Sequence, residues 1–539
     1  MDLLEFFFTF TIALFTSLLV VPFLRKWALD QGTVDMPEER KVHYKVMPRL
    51  GGIAIFLSFL LASIVFIPIN PMMRGLLAGG VIVFITGLVD DLVELSAKRK
   101  FAGEIAACLT TIILGKLWLT NLGNLFGFGD IILPAWIGIP FTVFAVVGVI
   151  NAINLIDGLD GLAGGLSVLS LSAFLILGWL EGDPQTMFIS AGLIGSLLGF
   201  LKYNFYPARI FMGDAGSLTV GFILGFLAVW VTQQPQATTS PMVPILVLAL
   251  PLIDTIWVMG RRAISKTNPF MPDRTHLHHK FLDLGIRHRL TVLLIYFLSL
   301  FWICSALIMR KHPEYQLLLF LVITALLFYL TLKYLTKNKE RYWFFSRDTG
   351  EGLRTSVHYL RIADTIDMML LGLMALIGIY YLLALCSAFT HCVVPWQIAF
   401  ILLISGLAFW FRPIRENRQF CMLFVYGIVG LAAIEVWHRQ DLQFAGMTIR
   451  RTGDVLLLVG FLISIFKIQF RRINEFFLTS ADYLALTICV FLIVGLHELH
   501  VGLNLIAPLA RTLVAIVILR TLTANNRGYQ KWVTLMTFI

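Results

Sequence analysis

Long apolar blocks separated by short polar connections run along the whole sequence. A helix needs about 20 mostly apolar residues to cross the hydrocarbon core of a bilayer, and about 17 blocks approach that length. We therefore predict an all-α, polytopic transmembrane helix bundle. The predicted spans cover residues 3–24, 51–69, 72–89, 102–120, 135–153, 162–180, 186–203, 217–232, 242–260, 291–309, 315–333, 366–386, 396–411, 419–437, 454–470, 482–500 and 503–521.

The composition agrees with a membrane protein. Hydrophobic residues make up 58% of the chain and charged residues 14%, whereas soluble domains are about half apolar and a quarter charged. The first apolar block begins at once, without a basic leader or a small-residue cleavage site, so we expect no cleavable signal peptide. The six cysteines show no CxxC spacing, and we expect buried thiols that act as small hydrophobes.

The basic residues indicate the topology. The net charge is +10, but the Lys and Arg residues are concentrated in alternate connections, as the positive-inside rule describes. This distribution places the N-terminus outside and the C-terminus in the cytosol. It also accounts for the positive charge without a nucleic-acid partner.

The densest polar clusters fall on the predicted cytosolic side, and the first of them is Asp90-Asp91. Two carboxylates at a helix C-terminus repel each other and the helix dipole unless a cation lies nearby. Lys98, Arg99 and Lys100 follow closely and could bind phosphate or offset the charge. The pair is either a solvated helix end, or a base or Mg²⁺-associated pair.

The second cluster extends from Asn151 to Gly161. Asn151, Asn154 and Asp157 are spaced three apart and would share one face of a helix. Asp157 and Asp160 have no basic neighbour between residues 131 and 179, so a divalent cation is their natural partner. Interhelical hydrogen bonding is the alternative reading, since polar groups at membrane depth face a cavity or the bundle interior.

Two further clusters complete the set. Asp214 lies between glycines before an apolar span, with Ser217 as a predicted N-cap, which suits either a turn or a metal–phosphate site. Arg274, His276, His278 and His279 occupy a basic loop and could donate hydrogen bonds to a diphosphate. A zinc site and a plain solvated loop are the alternatives for these histidines.

Acids for a metal, basic groups for phosphates and an adjoining lipid phase together fit phosphoryl transfer, in which positioning and charge neutralisation supply most of the catalysis. A secondary transporter is the rival reading, because intramembrane acids and many spans suit it. Against it, the acids lie at predicted cytosolic span ends. A non-catalytic scaffold would not need all of these groups.

Five motifs in this order resemble the polyprenyl-phosphate N-acetylhexosamine-1-phosphate transferases of bacteria, glycosyltransferase family 4. The resemblance covers about residues 1–335. The motifs are Arg40-Lys41-Val42-His43 with Pro48-Arg49-Leu50-Gly51-Gly52, Asp90-Asp91 with Lys98, Asn151 to Gly161 with Leu162-Ala163-Gly164-Gly165, Phe211 to Ser217, and the histidine loop.

The resemblance implies a UDP-N-acetylhexosamine donor, undecaprenyl phosphate as acceptor, release of UMP and dependence on Mg²⁺, with Mn²⁺ as a substitute. It implies Mg²⁺ binding by Asn154 and Asp214, and catalytic roles for Asp90, Asp91, Asp157 and Asp160. The substrate-binding residues that it implies are Lys41, His43, Arg49, Lys98, Asn151, Phe211, Arg274, His276, His278 and His279.

The histidine loop reads His276-Leu277-His278-His279, which is similar to the GlcNAc-1-phosphate transferases. The phospho-MurNAc-pentapeptide transferases have three adjacent histidines and are the alternative. The resemblance thus implies an enzyme of the bacterial cytoplasmic (inner) membrane with a cytosolic active site. It would initiate a lipid-linked cell-envelope glycan such as lipopolysaccharide O-antigen or teichoic acid. A homodimer is one option for an oligomeric state that the sequence leaves open.

We predict three segments: a transferase domain of about 11 helices over 1–335, a basic cytosolic linker over 336–365, and a second transmembrane domain of about 6 helices over 366–539. The polar residues of the last segment are scattered near predicted helix ends. It matches no motif, and transport, docking and oligomerisation are all open roles for it.

Overall fold

The protein is described here from a computed structural model. The described residues are 3–32, 34–35, 47–234, 237–264 and 276–338, with 443–444, 447–448 and 459. The chain divides into two units, Met1–Arg347 and Asp348–Ile539. Residues 339–365 of the predicted linker lie outside the described residues, as do the predicted spans after it, apart from residue 459.

The described part is mostly helical. Residues Val34–Asp35 (β1) and Met47–Pro48 (β2) form one short antiparallel pair, and Gln443–Phe444 (β3) and Met447–Thr448 (β4) form another. The helices are α1 (Leu3–Gln31), α2 (Gly51–Phe66), α3 (Pro71–Val93), α4 (Ala97–Gly115), α5 (Ala135–Ile156), α6 (Leu162–Glu181), α7 (Pro184–Asn204), α8 (Gly213–Gln233), α9 (Met242–Val247), α10 (Ala249–Ile264), α11 (Leu277–Asp283), α12 (His288–Ile308) and α13 (Glu314–Lys337).

Eight of these helices, α1, α3, α5, α6, α7, α8, α12 and α13, are long and apolar enough to cross a membrane. Each predicted span up to residue 333 overlaps a helix, although the span predicted over 242–260 is broken at Leu248. Pro251 has no N–H to donate to Val247, which explains the interruption. The total of about 17 spans and the orientation of the termini stay predictions.

Helix α8 lies at the centre of this arrangement. Its residues are largely buried, as are those of α6 and α7, while α2, α3 and α5 pack around it. A Cβ atom at Gly52 of α2 would collide with the backbone of Gly216, and one at Gly87 of α3 would collide with the backbone of Asp214. These glycines let α2 and α3 approach the first turn of α8 closely, so the sequence motifs that they carry meet there.

The two ends of α8 face different surroundings. Its first turn meets the polar residues at the ends of α3 and α5, whereas Gln233 at its last turn accepts hydrogen bonds from the backbone N–H groups of Thr120 and Asn121. Asn121 also binds the exposed Asp130 in the loop between α4 and α5. Because α8 has 21 residues, this loop lies about 30 Å from Asp214.

Candidate active site

The first turn of α8 holds Asp214 among polar groups from two other helices. Gly213 has φ +69°, a conformation that glycine adopts readily, and it turns the chain into the helix. The Asp214 carboxylate contacts the Lys100 ammonium at 2.5 Å and accepts a hydrogen bond from Asn154 Nδ2 at 2.6 Å. Asn154 Nδ2 also lies 2.8 Å from the Ser217 hydroxyl oxygen. Groups from α4, α5 and α8 therefore converge on one carboxylate.

Asp90 and Asp91 are neighbours in sequence but bind different partners. Both oxygens of Asp91 accept backbone hydrogen bonds, from Asp214 N at 2.8 Å and Ala215 N at 2.9 Å. Asp91 therefore caps α8 from another helix, where the positive end of the helix dipole stabilises a carboxylate. Ser217, predicted as the N-cap, lies inside the helix, because α8 begins at Gly213, five residues earlier than that prediction requires.

Asp90 contacts the cation of the cluster. One of its oxygens lies 3.1 Å from Lys100 Nζ, and the other accepts a hydrogen bond from Leu95 N at 2.6 Å. Lys100 therefore bridges Asp90 and Asp214. Lys98, the residue singled out from the sequence, is exposed. Because α4 begins at Ala97, Lys98 and Lys100 lie on different faces of this helix. The side chain of Lys100 faces Asp90 and Asp214, whereas that of Lys98 faces outward.

A buried acid lies one helical turn beyond Lys100. Glu104 is fully buried, and its Oε2 accepts a hydrogen bond from Asn151 Nδ2 at 2.7 Å. Its Oε1 is buried with no hydrogen-bond partner within the part of the chain that the structure describes. The sequence did not single out Glu104. The available signal was its spacing of four residues from Lys100, which places both side chains on the same face of a helix.

The connection between α5 and α6 carries the two remaining acids. Burial and the carboxylates of Asp214 and Asp160 raise the pKa of Asp157 to about 7. Asp160 accepts a hydrogen bond from Ala208 N at 2.9 Å and so ties this connection to the one preceding α8. Tyr296 of α12 donates to the Gly161 carbonyl at 2.6 Å. Asp157 is therefore the acid that electrostatics links to Asp214, while Asp160 holds the loop.

Two of the sequence motifs are joined through their backbones. Phe211 N donates to Pro48 O at 2.7 Å, Gly51 N to Phe211 O at 3.0 Å, and Gly52 N to Met212 O at 2.8 Å. These bonds place Arg49 within electrostatic range of Asp91. Phe211 is half-buried beside the first turn of α8.

The histidine loop leads into α11 and packs against the connection between α5 and α6. The ring of His278 lies so close to Gly158 that a Cβ atom there would collide with its Nε2. Burial and the neighbouring histidines hold the pKa of His278 well below its usual value of 6.5, so the ring is neutral near pH 7. The His278 and His279 rings have centroids 4.2 Å apart.

An acid that the sequence did not single out anchors this loop. Asp254 of α10 is buried and lies 2.9 Å from His276 Nδ1. It also accepts hydrogen bonds from Leu277 N at 3.0 Å and from the Tyr329 hydroxyl at 3.2 Å. Three partners thus fix the loop to α10 and α13. A lone acid within a predicted apolar span was the only signal for Asp254.

The structure brings together most of the residues that the sequence predicted for the site, on four different helices and the connections between them. Lys41, His43 and Arg274 lie outside the described residues. The members that it places around the first turn of α8 or in the adjoining loops are Arg49, Asp90, Asp91, Asn151, Asn154, Asp157, Asp160, Phe211, Asp214, His276, His278 and His279.

The donor set suits a hard cation that binds few protein ligands. Among the described residues, no group of three or more His, Cys, Asp and Glu side chains is arranged to hold a metal ion by itself. Mg²⁺ commonly takes one or two carboxylates and completes its shell with water and substrate phosphates. Asp214 and Asp90 already hold one cationic group, the Lys100 ammonium, so the residues present fit Mg²⁺.

The sequence is similar to known bacterial proteins. A sequence profile described as glycosyl transferase family 4 matches residues 73–232. The chain is 35% identical over 326 residues to the "Probable undecaprenyl-phosphate N-acetylglucosaminyl 1-phosphate transferase" of Bacillus subtilis (strain 168), covering 59% of this chain and 88% of that protein.

Two other bacterial relatives give a similar result. Identity is 32% to the "Undecaprenyl-phosphate alpha-N-acetylglucosaminyl 1-phosphate transferase" of Escherichia coli (strain K12), over 53% of this chain and 78% of that one. It is 35% to the "Decaprenyl-phosphate N-acetylglucosaminephosphotransferase" of Mycolicibacterium smegmatis, over 52% of this chain and 77% of that one. The apolar helices and these relatives indicate a multi-pass membrane protein. The chain belongs to glycosyl transferase family 4, as a sugar-phosphate transferase.

Proposed function

We propose that the protein transfers N-acetylhexosamine 1-phosphate, GlcNAc 1-phosphate above all, from a UDP-sugar to undecaprenyl phosphate and releases UMP. The observation that carries this proposal is the bridge that Lys100 makes between Asp90 and Asp214, beside Asn154. Carboxylates and a cationic group at one end of several apolar helices suit a diphosphate that meets a lipid-dissolved acceptor. The names of the relatives support the acceptor and the sugar.

Asp214 and Asn154 are the residues that would hold Mg²⁺ or Mn²⁺, with Asp90 beside them. The cation would neutralise the charge that develops on the transferring phosphoryl group. Asp91 acts indirectly in this scheme, because its two oxygens bind the backbone of α8. Through these bonds it positions Asp214, and we leave the acceptance of the substrate's proton to Asp90.

In the reaction, an oxygen of the lipid phosphate attacks the sugar-bearing β-phosphorus of the donor. A new P–O bond forms, the bond from this phosphorus to the bridging oxygen breaks, and UMP leaves with that oxygen. We assign to Asp90 the task of orienting the acceptor phosphate and accepting its proton when the phosphate is singly charged. Lys100 and the histidine loop donate hydrogen bonds to the diphosphate, and Phe211 stacks on the uracil.

The same proposal sets the place of the reaction. The acids lie at helix ends that the distribution of basic residues assigns to the cytosolic side. A site on the cytosolic face of the bacterial inner membrane has access to a soluble nucleotide sugar and to a phosphate headgroup. The product would begin a lipid-linked cell-envelope glycan.

The test is release of UMP by the purified protein from UDP-GlcNAc and undecaprenyl phosphate in the presence of Mg²⁺. Asp214→Asn should abolish turnover, because the neutral amide loses the charge that binds the cation or, before the cation binds, Lys100. Asp130→Asn is the matched control, since it makes the same change in the loop between α4 and α5, at the far end of α8 and about 30 Å from Asp214. Full turnover by the Asp214→Asn protein would contradict the proposal.

A panel of donors decides the sugar. UDP-GlcNAc should be used in preference to UDP-GalNAc and UDP-MurNAc-pentapeptide, because the loop reads His276-Leu277-His278-His279. Preference for the pentapeptide donor would favour the alternative reading of the sequence and contradict the choice of GlcNAc.

A further inference from the structure

The Lys100 ammonium occupies the carboxylates at which the proposed function places a divalent cation. Its ammonium contacts the carboxylates of Asp90 and Asp214 at 3.1 and 2.5 Å. The side chains of Lys100, Asp90 and Asp214 are 17%, 11% and 30% exposed, so water screens these contacts less than it would at the protein surface. An ammonium and a divalent cation cannot both lie between the same pair of oxygens, because their charges repel.

Helix α4 offers the ammonium a second acceptor. Glu104 follows Lys100 by four residues and is on the same face of the helix, within electrostatic range of it. Its Oε2 is bound by Asn151, whereas its Oε1 is buried without a hydrogen-bond partner in the described part of the chain. A buried carboxylate oxygen of this kind is costly unless it receives a donor at some stage.

We propose that the Lys100 ammonium and the divalent cation compete for the Asp90 and Asp214 carboxylates, and that Glu104 receives the ammonium when the cation binds. This inference rests on the proposed function for the identity of the cation site. The exchange keeps the charge of the carboxylate pair compensated throughout. It also moves Lys100 rather than removing it, so that the side chain stays available to the donor diphosphate.

The distinguishing consequence concerns binding of the cation rather than turnover. If Lys100 only helped to hold the site together, its replacement would weaken cation binding or leave it unchanged. If it competes, a neutral residue at position 100 strengthens binding. Removal of a unit charge within about 4 Å of the cation, in a partly buried site, predicts a dissociation constant lower by about tenfold or more.

The experiment measures Mn²⁺ binding to the full-length protein in detergent, by electron paramagnetic resonance of free Mn²⁺. Lys100→Gln and Lys100→Met should both bind Mn²⁺ about tenfold or more tightly than the unmodified protein, and both should lose UMP release. Lys100→Arg keeps the competing charge and should stay within about threefold of the unmodified protein. Arg99→Gln, an equal loss of charge at an exposed neighbour, should change binding by less than about twofold.

Glu104 is tested by a double-mutant cycle. Glu104→Gln should weaken Mn²⁺ binding by about threefold or more when Lys100 is present, because the displaced ammonium loses its acceptor. The effect should shrink when Lys100 is already Gln, and this non-additivity is the sign of a coupled pair. Strictly additive effects would overturn the role of Glu104.

The outcomes separate the inference from the proposed function. Unchanged or weaker Mn²⁺ binding by both Lys100→Gln and Lys100→Met, with the unmodified protein binding Mn²⁺ and releasing UMP, overturns the competition alone. Failure of the unmodified protein to bind Mn²⁺ overturns the inference together with the cation role in the proposed function.

Discussion

Asp91 provides the sharpest distinction between a structural and a chemical role in this site. Its side chain accepts hydrogen bonds from the backbone N–H groups of Asp214 and Ala215 at 2.8 and 2.9 Å. Asp91→Ala removes both acceptors from the first turn of α8. We expect the variant to be less stable and to position Asp214 poorly.

The magnitude follows from the two bonds. Each hydrogen bond to a charged acceptor contributes about 1.5–3 kcal/mol, and the helix dipole adds about 0.3–1 kcal/mol. Loss of the carboxylate also removes the cost of keeping it partly buried, so the net destabilisation should be about 2–3 kcal/mol. Asp91→Asn keeps one acceptor oxygen and should lose about half as much.

Thermal unfolding in detergent, followed by tryptophan fluorescence, measures this effect. Asp91→Ala should lower the apparent Tm by about 3–4 °C and Asp91→Asn by less. Asp91→Asn should also retain part of the UMP release, since the cap persists. An unchanged Tm in Asp91→Ala with complete loss of activity in both variants would show that Asp91 acts chemically, and would refute the cap.

Three other predictions concern different parts of the molecule. Asp254→Ala should lower kcat/KM for UMP release by about tenfold or more, since His276 loses the side chain that fixes it. Asp254→Asn should lower kcat/KM less, because its amide oxygen can still accept a hydrogen bond. The raised pKa of Asp157, about 7 against an ordinary 3.8, means that the folded protein favours the neutral acid. In EDTA, stability should therefore decline between about pH 4 and pH 7, and Asp157→Asn should flatten that decline in a pH series of Tm values. Gly52→Ala should cost about 1–3 kcal/mol in thermal unfolding, because the new methyl group collides with the backbone of α8. Gly80→Ala is its control, since the nearest atom would lie 3.6 Å away.

The helices of the first unit could be predicted because apolar blocks of sufficient length have few alternatives in a bilayer. Their ends were harder to predict. The basic run at Lys98–Lys100 looked like a connection, yet it forms the first turn of α4. Similarly, the block over 242–260 looked continuous, although Pro251 interrupts its hydrogen bonding.

The site was predictable to the extent that its residues cluster in sequence. Asp90, Asn154 and Asp214 were found because each lies in a dense polar motif. The hydrogen-bond partners of Asp91 and Glu104 were not predictable, since they lie 123 and 47 residues away. Hydrogen bonds between distant segments depend on helix packing, which local periodicity does not encode.

The partner of Asp254 could not be identified from the sequence either. It is a single acid in an apolar block, and its partner His276 follows 22 residues later, after a connection. A lone buried acid signals that some partner exists, since a buried charge is otherwise costly. Which partner it has could be determined only from the packing of α10, α11 and α13.

The fate of the donor's two phosphorus atoms tests the central claim, that these helix ends form a phosphoryl-transfer site. The purified protein is given UDP-GlcNAc labelled at the β-phosphorus together with undecaprenyl phosphate and Mg²⁺, and the products are separated. The label should appear in the lipid diphosphate, with unlabelled UMP released. Label retained in released UDP would mean that the bond between sugar and phosphate breaks instead, and would contradict the account.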